Sequence, residues 1–123
     1  MYEVAVEAFF RASHQLRLPG GEWEPLHGHD WKVEATFEGP ELDEQGLLVD
    51  FSDAQSALGA VAQTLHDRHL NDLEALAAVN PSAENVARSI FDRLRSVGSF
   101  REKLVSIRVW EAPGCAGGYS RRE

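Results

Sequence analysis

The sequence predicts an α+β fold in which a four-stranded antiparallel sheet carries two helices on one face, in the order ββααββ. Three observations support this prediction: two alternating segments open the chain, two helical stretches fill its middle, and two alternating segments close it. Strands that follow one another without an intervening helix usually pair as antiparallel neighbours. With 123 residues and 43% hydrophobic content, the chain is expected to form a single domain over residues 1–123.

The first two strands are predicted from a period of two in the hydrophobic residues, which puts alternate side chains on one face. On the first strand the apolar face consists of Tyr2, Val4, Val6, Ala8 and Phe10. On the second strand it consists of Trp31, Val33, Ala35 and Phe37. A Gly-Pro pair at residues 39–40 ends this second pattern.

The middle of the chain changes to helical spacing. The first helical stripe consists of Ala54, Ala57, Leu58, Val61 and Leu65. We expect Ser52 or Asp53 to cap this helix, and Ser82 to cap a second one. The stripe of the second helix consists of Val86, Ile90 and Leu94. The closing strands are predicted from Val105, Ile107 and Val109, and from a short segment near Tyr119.

Composition excludes several classes of partner. The formal charge of −8 argues against nucleic acid and anionic membranes, because both require clustered Lys and Arg. The apolar runs are far too short for a membrane span, and the first residues lack the basic region of a signal peptide. The one cysteine, Cys115, fits a reducing compartment. We therefore expect a cytoplasmic protein that binds neither nucleic acid nor membranes.

Three histidines are predicted to form a metal site. His27 and His29 flank a glycine and continue the apolar face of the second strand, while His14 continues the apolar face of the first. Buried imidazoles without partners cost free energy, and three neutral nitrogens suit Zn²⁺ with an open fourth position. The alternative is that each histidine is separately hydrogen-bonded in the core or at the surface. All three histidines continue the apolar face of their strand, and this favours the metal.

Glu111 is the second unusual residue, because it ends the apolar face of the strand around Val109. A carboxylate in such a place is usually paired or functional. It is suited to accept two parallel hydrogen bonds from the N–C–NH₂ edge of a guanine-like ring. The alternative is an exposed carboxylate at the end of a strand.

Five motifs occur in an order that matches one enzyme family. They read FRASH at residues 10–14, LHGH at 26–29, LHDRHLND at 65–72, PSAEN at 81–85 and VWE at 109–111. In these motifs, and over essentially its whole length, the chain resembles the 6-pyruvoyl and 6-carboxytetrahydropterin synthases. The resemblance implies the tunnelling fold, in which the sheets of several subunits join into a β-barrel with active sites between subunits. A homo-oligomer follows, most simply a hexamer made of two trimers.

The resemblance also implies a chemistry. By this resemblance, zinc is expected to be held by His14, His27 and His29, and the expected substrate is dihydroneopterin triphosphate or a related reduced pterin. Glu111 is implied as the anchor of the pterin ring. Ser82 matches a position near the pterin pocket, although its capping role explains it equally well.

The chain departs from the family at the groups that move protons. The synthases carry a Cys shortly before the His-x-His pair, and here that stretch reads GGEWEP at residues 20–25. One branch of the family uses a Glu instead, for which Glu24 is the nearest counterpart. The family's Asp-His dyad appears in inverted order as His66 and Asp67. If the helix continues to this point, His69 extends its apolar stripe; if it unwinds, His66 and Asp67 remain able to pair.

Two functions from different classes follow from these residues. The first is a zinc-dependent lyase that eliminates triphosphate or cleaves the side chain of a reduced pterin, with Glu24 or the pair of His66 and Asp67 moving the proton. The second is a zinc-containing module that binds a pterin without turning it over. The missing Cys favours the module, and the surplus of titratable groups at His66, Asp67 and His69 favours the enzyme.

Overall fold

The computed structural model describes residues 1–121, and within them it confirms the predicted α+β architecture. The strands are β1 (Tyr2–His14), β2 (His27–Gly39), β3 (Arg68–His69), β4 (Leu104–Ala112) and β5 (Cys115–Ser120). The helices are α1 (Phe51–Gln63) and α2 (Ala83–Arg95). Neither helix has the length and apolar character that crossing a bilayer requires.

The sheet has the order β3-β1-β2-β4-β5, and all neighbours are antiparallel except β3 and β1. The register of β1 and β2 places His14 directly opposite His27. Helix α1 packs against β1, and α2 packs against β4 and β5. The four long strands are those that the sequence predicts, and their register brings the candidate site residues to one end of the sheet.

The apolar faces of the strands form the core, as the alternation predicts. Trp31 is fully buried, and its indole nitrogen donates a hydrogen bond to the carbonyl of Ala12 at 3.2 Å. Its ring stacks on Phe10 with centroids 5.6 Å apart and lies edge-on to His14 at 4.9 Å. A buried indole with a satisfied N–H gives this end of the sheet a rigid base under the histidines.

The helix caps agree with the prediction at one helix and differ at the other. Ser82 accepts a hydrogen bond from the backbone N–H of Asn85 at 3.2 Å, as expected for an N-cap. The predicted cap of α1 is wrong, because Asp50 performs this role and accepts from the N–H groups of Ser52 and Asp53. The carboxylate of Asp50, two and three residues before the predicted caps, satisfies the free N–H groups at the start of the helix and complements the helix dipole.

A fifth strand, β3, is absent from the sequence prediction. Helix α1 ends at Gln63, and Asp67 adopts a left-handed conformation with φ of 57°. The Asp67 N–H donates to the carbonyl of Arg11 at 2.6 Å, after which two residues pair in parallel with Ala12 and Ser13. The helix therefore unwinds before the inverted motif, which settles the two alternatives left open by the sequence.

Candidate metal centre

Four potential ligands from three strands converge at one end of the sheet. His14 ends β1, His27 begins β2, His29 follows two residues later, and Glu111 lies near the end of β4. Their ligand-capable atoms all lie within 4.8 Å of one another. We call these four residues the metal cluster. The three histidines that the sequence singles out are thus brought together, with a carboxylate beside them.

The protonation of His14 follows from its partners. Its side chain is fully buried, and Nδ1 lies 2.7 Å from the carbonyl oxygen of Pro81. Because a carbonyl only accepts, Nδ1 carries the proton, and Nε2 of the neutral ring offers a lone pair. Nε2 lies 2.5 Å from Oε1 of Glu111, which is ion-pair distance, but it makes no hydrogen bond with any residue in 1–121. The lone pair of Nε2 and this carboxylate oxygen repel each other unless a cation, either a metal ion or a proton, is shared between them.

His27 and His29 direct nitrogens at the same place. Nδ1 of His27 lies 2.5 Å from Nε2 of His29, and Nε2 of His29 lies 3.5 Å from Oε1 of Glu111. The other nitrogen of His27, Nε2, lies 2.9 Å from Oε1 of Glu24. A carboxylate only accepts, so His27 donates from Nε2 and its Nδ1 lone pair points into the metal cluster. Burial lowers the pKa of His29, which keeps that ring neutral and able to bind a metal.

Glu24 is an ionised carboxylate next to the metal cluster. Its Oε1 also accepts from the N–H of Leu16 at 2.9 Å, and the hydrogen bond from His27 is the main cause that lowers its pKa. A carboxylate hydrogen-bonded to a ligating histidine fixes the orientation and tautomer of the ring. Glu24, which the sequence offers as a base, therefore already has a geometric role at His27.

These donors fit zinc. Zinc prefers imidazole nitrogen and carboxylate oxygen in tetrahedral sites, and the metal cluster offers three nitrogens and one oxygen. The Nε2 of His14, which is buried and makes no hydrogen bond in the part of the chain that the structure describes, is the atom that an ion would stabilise most. The donors come from rigid strand ends, and the proton of His14 is turned away from the cluster towards Pro81.

His66 and Asp67 do not join the metal cluster in this subunit. They form a pair, with Nε2 of His66 lying 3.4 Å from Oδ2 of Asp67, but Arg11 holds both residues. Nδ1 of His66 accepts from the Arg11 N–H at 3.0 Å. Oδ1 of Asp67 contacts Nε and Nη2 of Arg11 at 2.9 and 2.8 Å. By strand alternation Arg11 points away from the face that carries His14, so this pair lies on the other side of the sheet.

A cavity of about 720 Å³ is lined by Arg11 and Asp67. Its lining includes Ser13, His29, Asp67, Arg68 and His69. Of the four cluster residues, His29 alone is part of this lining. The cavity therefore opens beside the metal cluster and not directly onto it.

Ser82 and Glu111 occupy different positions relative to the metal cluster. Ser82 uses its hydroxyl as the cap of α2, and the preceding carbonyl, from Pro81, orients His14. Glu111 belongs to the cluster, with 30% of its side chain exposed, so it remains accessible to a ligand. The start of α2 thus supports the site, and Glu111 faces it.

Sequence reasoning missed Arg11 and Pro81 as parts of this arrangement. Arg11 lies within the first quoted motif, but its contact with Asp67 spans 56 positions and depends on β3, which has no periodic signal. The role of Pro81 uses its backbone carbonyl, and no side-chain pattern reveals such a role. The one sequence signal for the role of Pro81 was that a buried histidine such as His14 needs a hydrogen-bond acceptor for its N–H group.

Comparison with known proteins gives a consistent result across the whole chain. The family described as 6-pyruvoyl tetrahydropterin synthase matches residues 3–122. The dihydroneopterin monophosphate aldolase of Pyrococcus furiosus is 32% identical over 108 residues, which cover 88% of both chains. The 6-carboxy-5,6,7,8-tetrahydropterin synthase of Haemophilus influenzae is 28% identical over 136 residues, covering 92% of this chain and 94% of the relative.

A solved structure supports the fold. A variant of the Plasmodium vivax 6-pyruvoyltetrahydropterin synthase, in which a catalytic glutamate is replaced by alanine, superimposes with a TM-score of 0.81 at 16% identity. It covers 99% of this chain and 98% of its own. The tunnelling fold predicted from the sequence is therefore the fold of this chain.

Proposed function

The chain belongs to the 6-pyruvoyl tetrahydropterin synthase family, and on that premise we propose that it is a zinc-dependent lyase acting on a phosphorylated reduced pterin. The observation that carries the proposal is the buried Nε2 of His14, which makes no hydrogen bond within residues 1–121. It faces two further imidazoles and a carboxylate, within 4.8 Å. The family's enzymes process pterins, and this cluster gives the chain a place for a metal that such chemistry uses.

The metal ligands in this proposal are His14, His27 and His29. A zinc ion bound there would supply Lewis-acid polarisation of a side-chain oxygen of the pterin. Glu24 holds the His27 ring through its Nε2–H, and Pro81 holds His14 through its Nδ1–H. These two contacts keep the ligating nitrogens unprotonated and aimed at one point.

Glu111 is proposed to anchor the pterin ring. Its side chain is partly exposed, and a carboxylate accepts two parallel hydrogen bonds from a ring N–H and the adjacent amino group. Ser82 is proposed to lie near the bound pterin, because it caps the start of α2, the helix end that supports His14. Glu111→Gln should weaken binding of a reduced pterin while leaving zinc content unchanged, and a loss of zinc would make Glu111 a ligand instead.

The reaction we favour is cleavage of the pterin side chain, and triphosphate elimination is the second possibility. The aldolase of Pyrococcus furiosus supports cleavage by its name, and the Haemophilus influenzae relative supports the synthase chemistry. In the cleavage, a base takes the proton of the hydroxyl on the second side-chain carbon, and the bond between the first and second side-chain carbons breaks. The second carbon leaves as the aldehyde of the phosphorylated fragment, and a proton returns to the carbon left on the pterin. The product is a hydroxymethyl pterin.

Glu24 is the proposed base. It is the carboxylate next to the metal cluster, 2.9 Å from His27, and its lowered pKa keeps it ionised at neutral pH. The Plasmodium vivax enzyme offers a precedent for a catalytic glutamate in this fold. His66 and Asp67 are the second candidates, and they would act on the site of a neighbouring subunit, since Arg11 holds them on the other side of the sheet.

A homo-oligomer, most simply a hexamer, accompanies this proposal. Strand β5 forms one edge of the sheet. Among residues 1–121, most of β1 has no strand partner on its outer side, because β3 covers two residues only. Open edges of this length are usually paired or protected. Light scattering that finds a monomer at micromolar concentration would exclude the shared site. Cytoplasm is the proposed compartment, because the single, exposed Cys115 is free.

The test is incubation of zinc-loaded protein with dihydroneopterin monophosphate and triphosphate, followed by mass analysis. We expect a shortened pterin or released triphosphate, and loss of product in Glu24→Gln but not in Glu22→Gln. One observation favours the alternative of a pterin-binding module: Glu24 already accepts from two donors, His27 and Leu16. Intact substrate that nevertheless binds tightly would establish that module and end the enzyme proposal.

A further inference from the structure

Two asparagine side chains hold the short segment that follows β1. We propose that Asn71 and Asn80 are positioning residues for Glu24, and we call these two asparagines the amide pair. They keep residues 15–17 extended, and this segment holds the Glu24 carboxylate beside His27. Neither asparagine belongs to the metal cluster, so both act on it through Glu24. The inference rests on the proposed function for the task of Glu24 in the reaction, whereas the contacts of the amide pair stand independently of it.

Each amide of the pair bonds the backbone of one residue through both of its polar groups. The Gln15 N–H donates to Oδ1 of Asn71 at 3.0 Å, and Nδ2 of Asn71 donates to the Gln15 carbonyl at 2.8 Å. Asn80 repeats this arrangement at Arg17, with distances of 2.7 and 3.0 Å. A neighbouring strand satisfies an N–H and a C=O of one residue in the same way. The amide pair therefore replaces a strand along this edge, where β3 pairs only with residues 12 and 13.

The opposite edge of the same segment holds Glu24. In an extended chain the N–H and C=O groups of neighbouring residues point to opposite edges. Leu16 lies between the two residues that the amide pair holds, and its N–H donates to Oε1 of Glu24 at 2.9 Å. Its carbonyl accepts from the backbone N–H of Glu24, also at 2.9 Å. Arg17 and Trp23 add an antiparallel bridge. The amide pair thus fixes the backbone of Leu16, and Leu16 fixes the carboxylate that lies 2.9 Å from His27.

The start of α2 holds Asn80 in turn. Nδ2 of Asn85, in the first turn of α2, donates to the carbonyl of Asn80 at 2.9 Å. Pro81 follows directly, and its carbonyl orients the ring of His14. The same turn therefore orients His14 directly and Glu24 indirectly. The second action depends on the Asn80 side chain, because the contacts with Asn85 and His14 use backbone carbonyls only.

Zinc affinity, measured by competition with a fluorescent chelator, tests the proposal. Asn80→Ala should lower it about three- to tenfold, which is less than the loss of Glu24 itself, because a hydrogen-bonding partner of a ligating histidine is worth about 10–100-fold. In a Glu24→Ala background the same substitution should cause no further fall, since the asparagine acts through that carboxylate. Asn71→Ala should behave like Asn80→Ala in both backgrounds. A residue with a merely structural role would lower the affinity equally with and without Glu24.

Amide hydrogen exchange gives a second readout, which needs no metal. The N–H of Leu16 reports the contact with Glu24. Its exchange should become about tenfold faster in either asparagine variant, the effect of one lost hydrogen bond. Thr64→Val is the matched control, because the Thr64 hydroxyl also makes two hydrogen bonds, at 2.6 and 2.8 Å, at the end of α1. This control should lower stability and leave both the Leu16 exchange rate and the zinc affinity unchanged.

Three results would overturn the positioning role. Zinc affinity stays at the wild-type value in Asn80→Ala, or it falls equally in Thr64→Val, or Asn80→Ala lowers it further when Glu24 is already absent. If wild type binds no zinc, the proposed function fails separately. Hydrogen exchange of the metal-free protein then decides the positioning role alone, and an unchanged rate at Leu16 in both asparagine variants contradicts it. If Asn71→Ala does not fold, Asn80→Ala, at an exposed position, provides the test by itself.

Discussion

The hydrogen bond between Glu24 and His27 makes the first prediction. Replacing Glu24 should weaken zinc binding, because its Oε1 holds Nε2–H of His27 at 2.9 Å and so keeps Nδ1 turned to the metal cluster. Loss of such a partner of a metal-ligating histidine typically costs 10–100-fold in affinity, or about 1.4–2.8 kcal/mol. Glu24→Gln keeps an oxygen that accepts from Leu16 and His27, so we expect about tenfold. Glu24→Ala removes the acceptor, and we expect about a hundredfold.

The assay is competition for zinc against a fluorescent chelator at pH 7.5. Glu22→Gln is the matched control. Glu22 is exposed and lies two residues before Glu24, so this variant removes the same charge without removing the contact with His27. If zinc affinity falls equally in Glu22→Gln and Glu24→Gln, the change in net charge explains the fall and the hydrogen bond to His27 does not. Wild-type affinity in Glu24→Ala would refute the inference that Glu24 orients His27. Activity measured with saturating zinc then separates proton transfer from metal holding.

Three further predictions concern the scaffold. Ser82→Ala should destabilise the protein by about 1 kcal/mol through loss of the cap of α2, whereas Ser82→Asp should not. Thermal unfolding of the two variants checks this. Equal melting temperatures in both would show that the cap does not contribute to stability. Gly117→Ala should cost about 1–3 kcal/mol, because its Cβ would lie 2.9 Å from Cβ of Ala83 and 3.0 Å from the backbone nitrogen of Glu84. Gly59→Ala, with open space around it in α1, should instead stabilise by up to about 1 kcal/mol, and denaturant midpoints that move alike in both glycine variants would contradict the packing argument. The metal-free protein should lose stability as the pH falls below 6.5, the ordinary pKa of histidine, because burial lowers the pKa of His29 in the folded chain below this value. Below pH 6.5 the unfolded chain binds a proton at this residue that the folded chain does not bind. Urea unfolding at pH 7.5 and 5.5 should show this loss, and His29→Gln should show less of it.

The fold was largely predictable because its signals are periodic. The alternation through Trp31, Val33 and Ala35 identified β2 and its buried face, and the change to helical spacing after Asp50 identified α1. Strand β3 was not predictable, because two residues have no period and Asp67 adopts a left-handed conformation that the sequence does not require. The cap at Asp50 was missed because three neighbouring polar residues were equally suitable.

The metal cluster was predictable for a similar reason, and its surroundings were not. The parity of His14, His27 and His29 placed three imidazoles on one face, and strand pairing then brought them together. The contacts that orient them come from elsewhere: the carbonyl of Pro81 is 67 positions from His14. Such contacts depend on the tertiary structure. The pair of His66 and Asp67 shows the same limit, since its partner Arg11 is set by the pairing of β3 with β1.

The coordination of zinc in the purified protein tests the central claim most directly. X-ray absorption at the zinc edge should show three imidazole nitrogens at about 2.0–2.1 Å, with one zinc per chain. In His14→Gln the spectrum should lose one imidazole, because the buried Nε2 of His14, which makes no hydrogen bond within residues 1–121, is one of the three proposed ligand atoms. A sulfur ligand at about 2.3 Å, which only Cys115 or Met1 can supply, would contradict the account. An unchanged imidazole count in His14→Gln would contradict it as well.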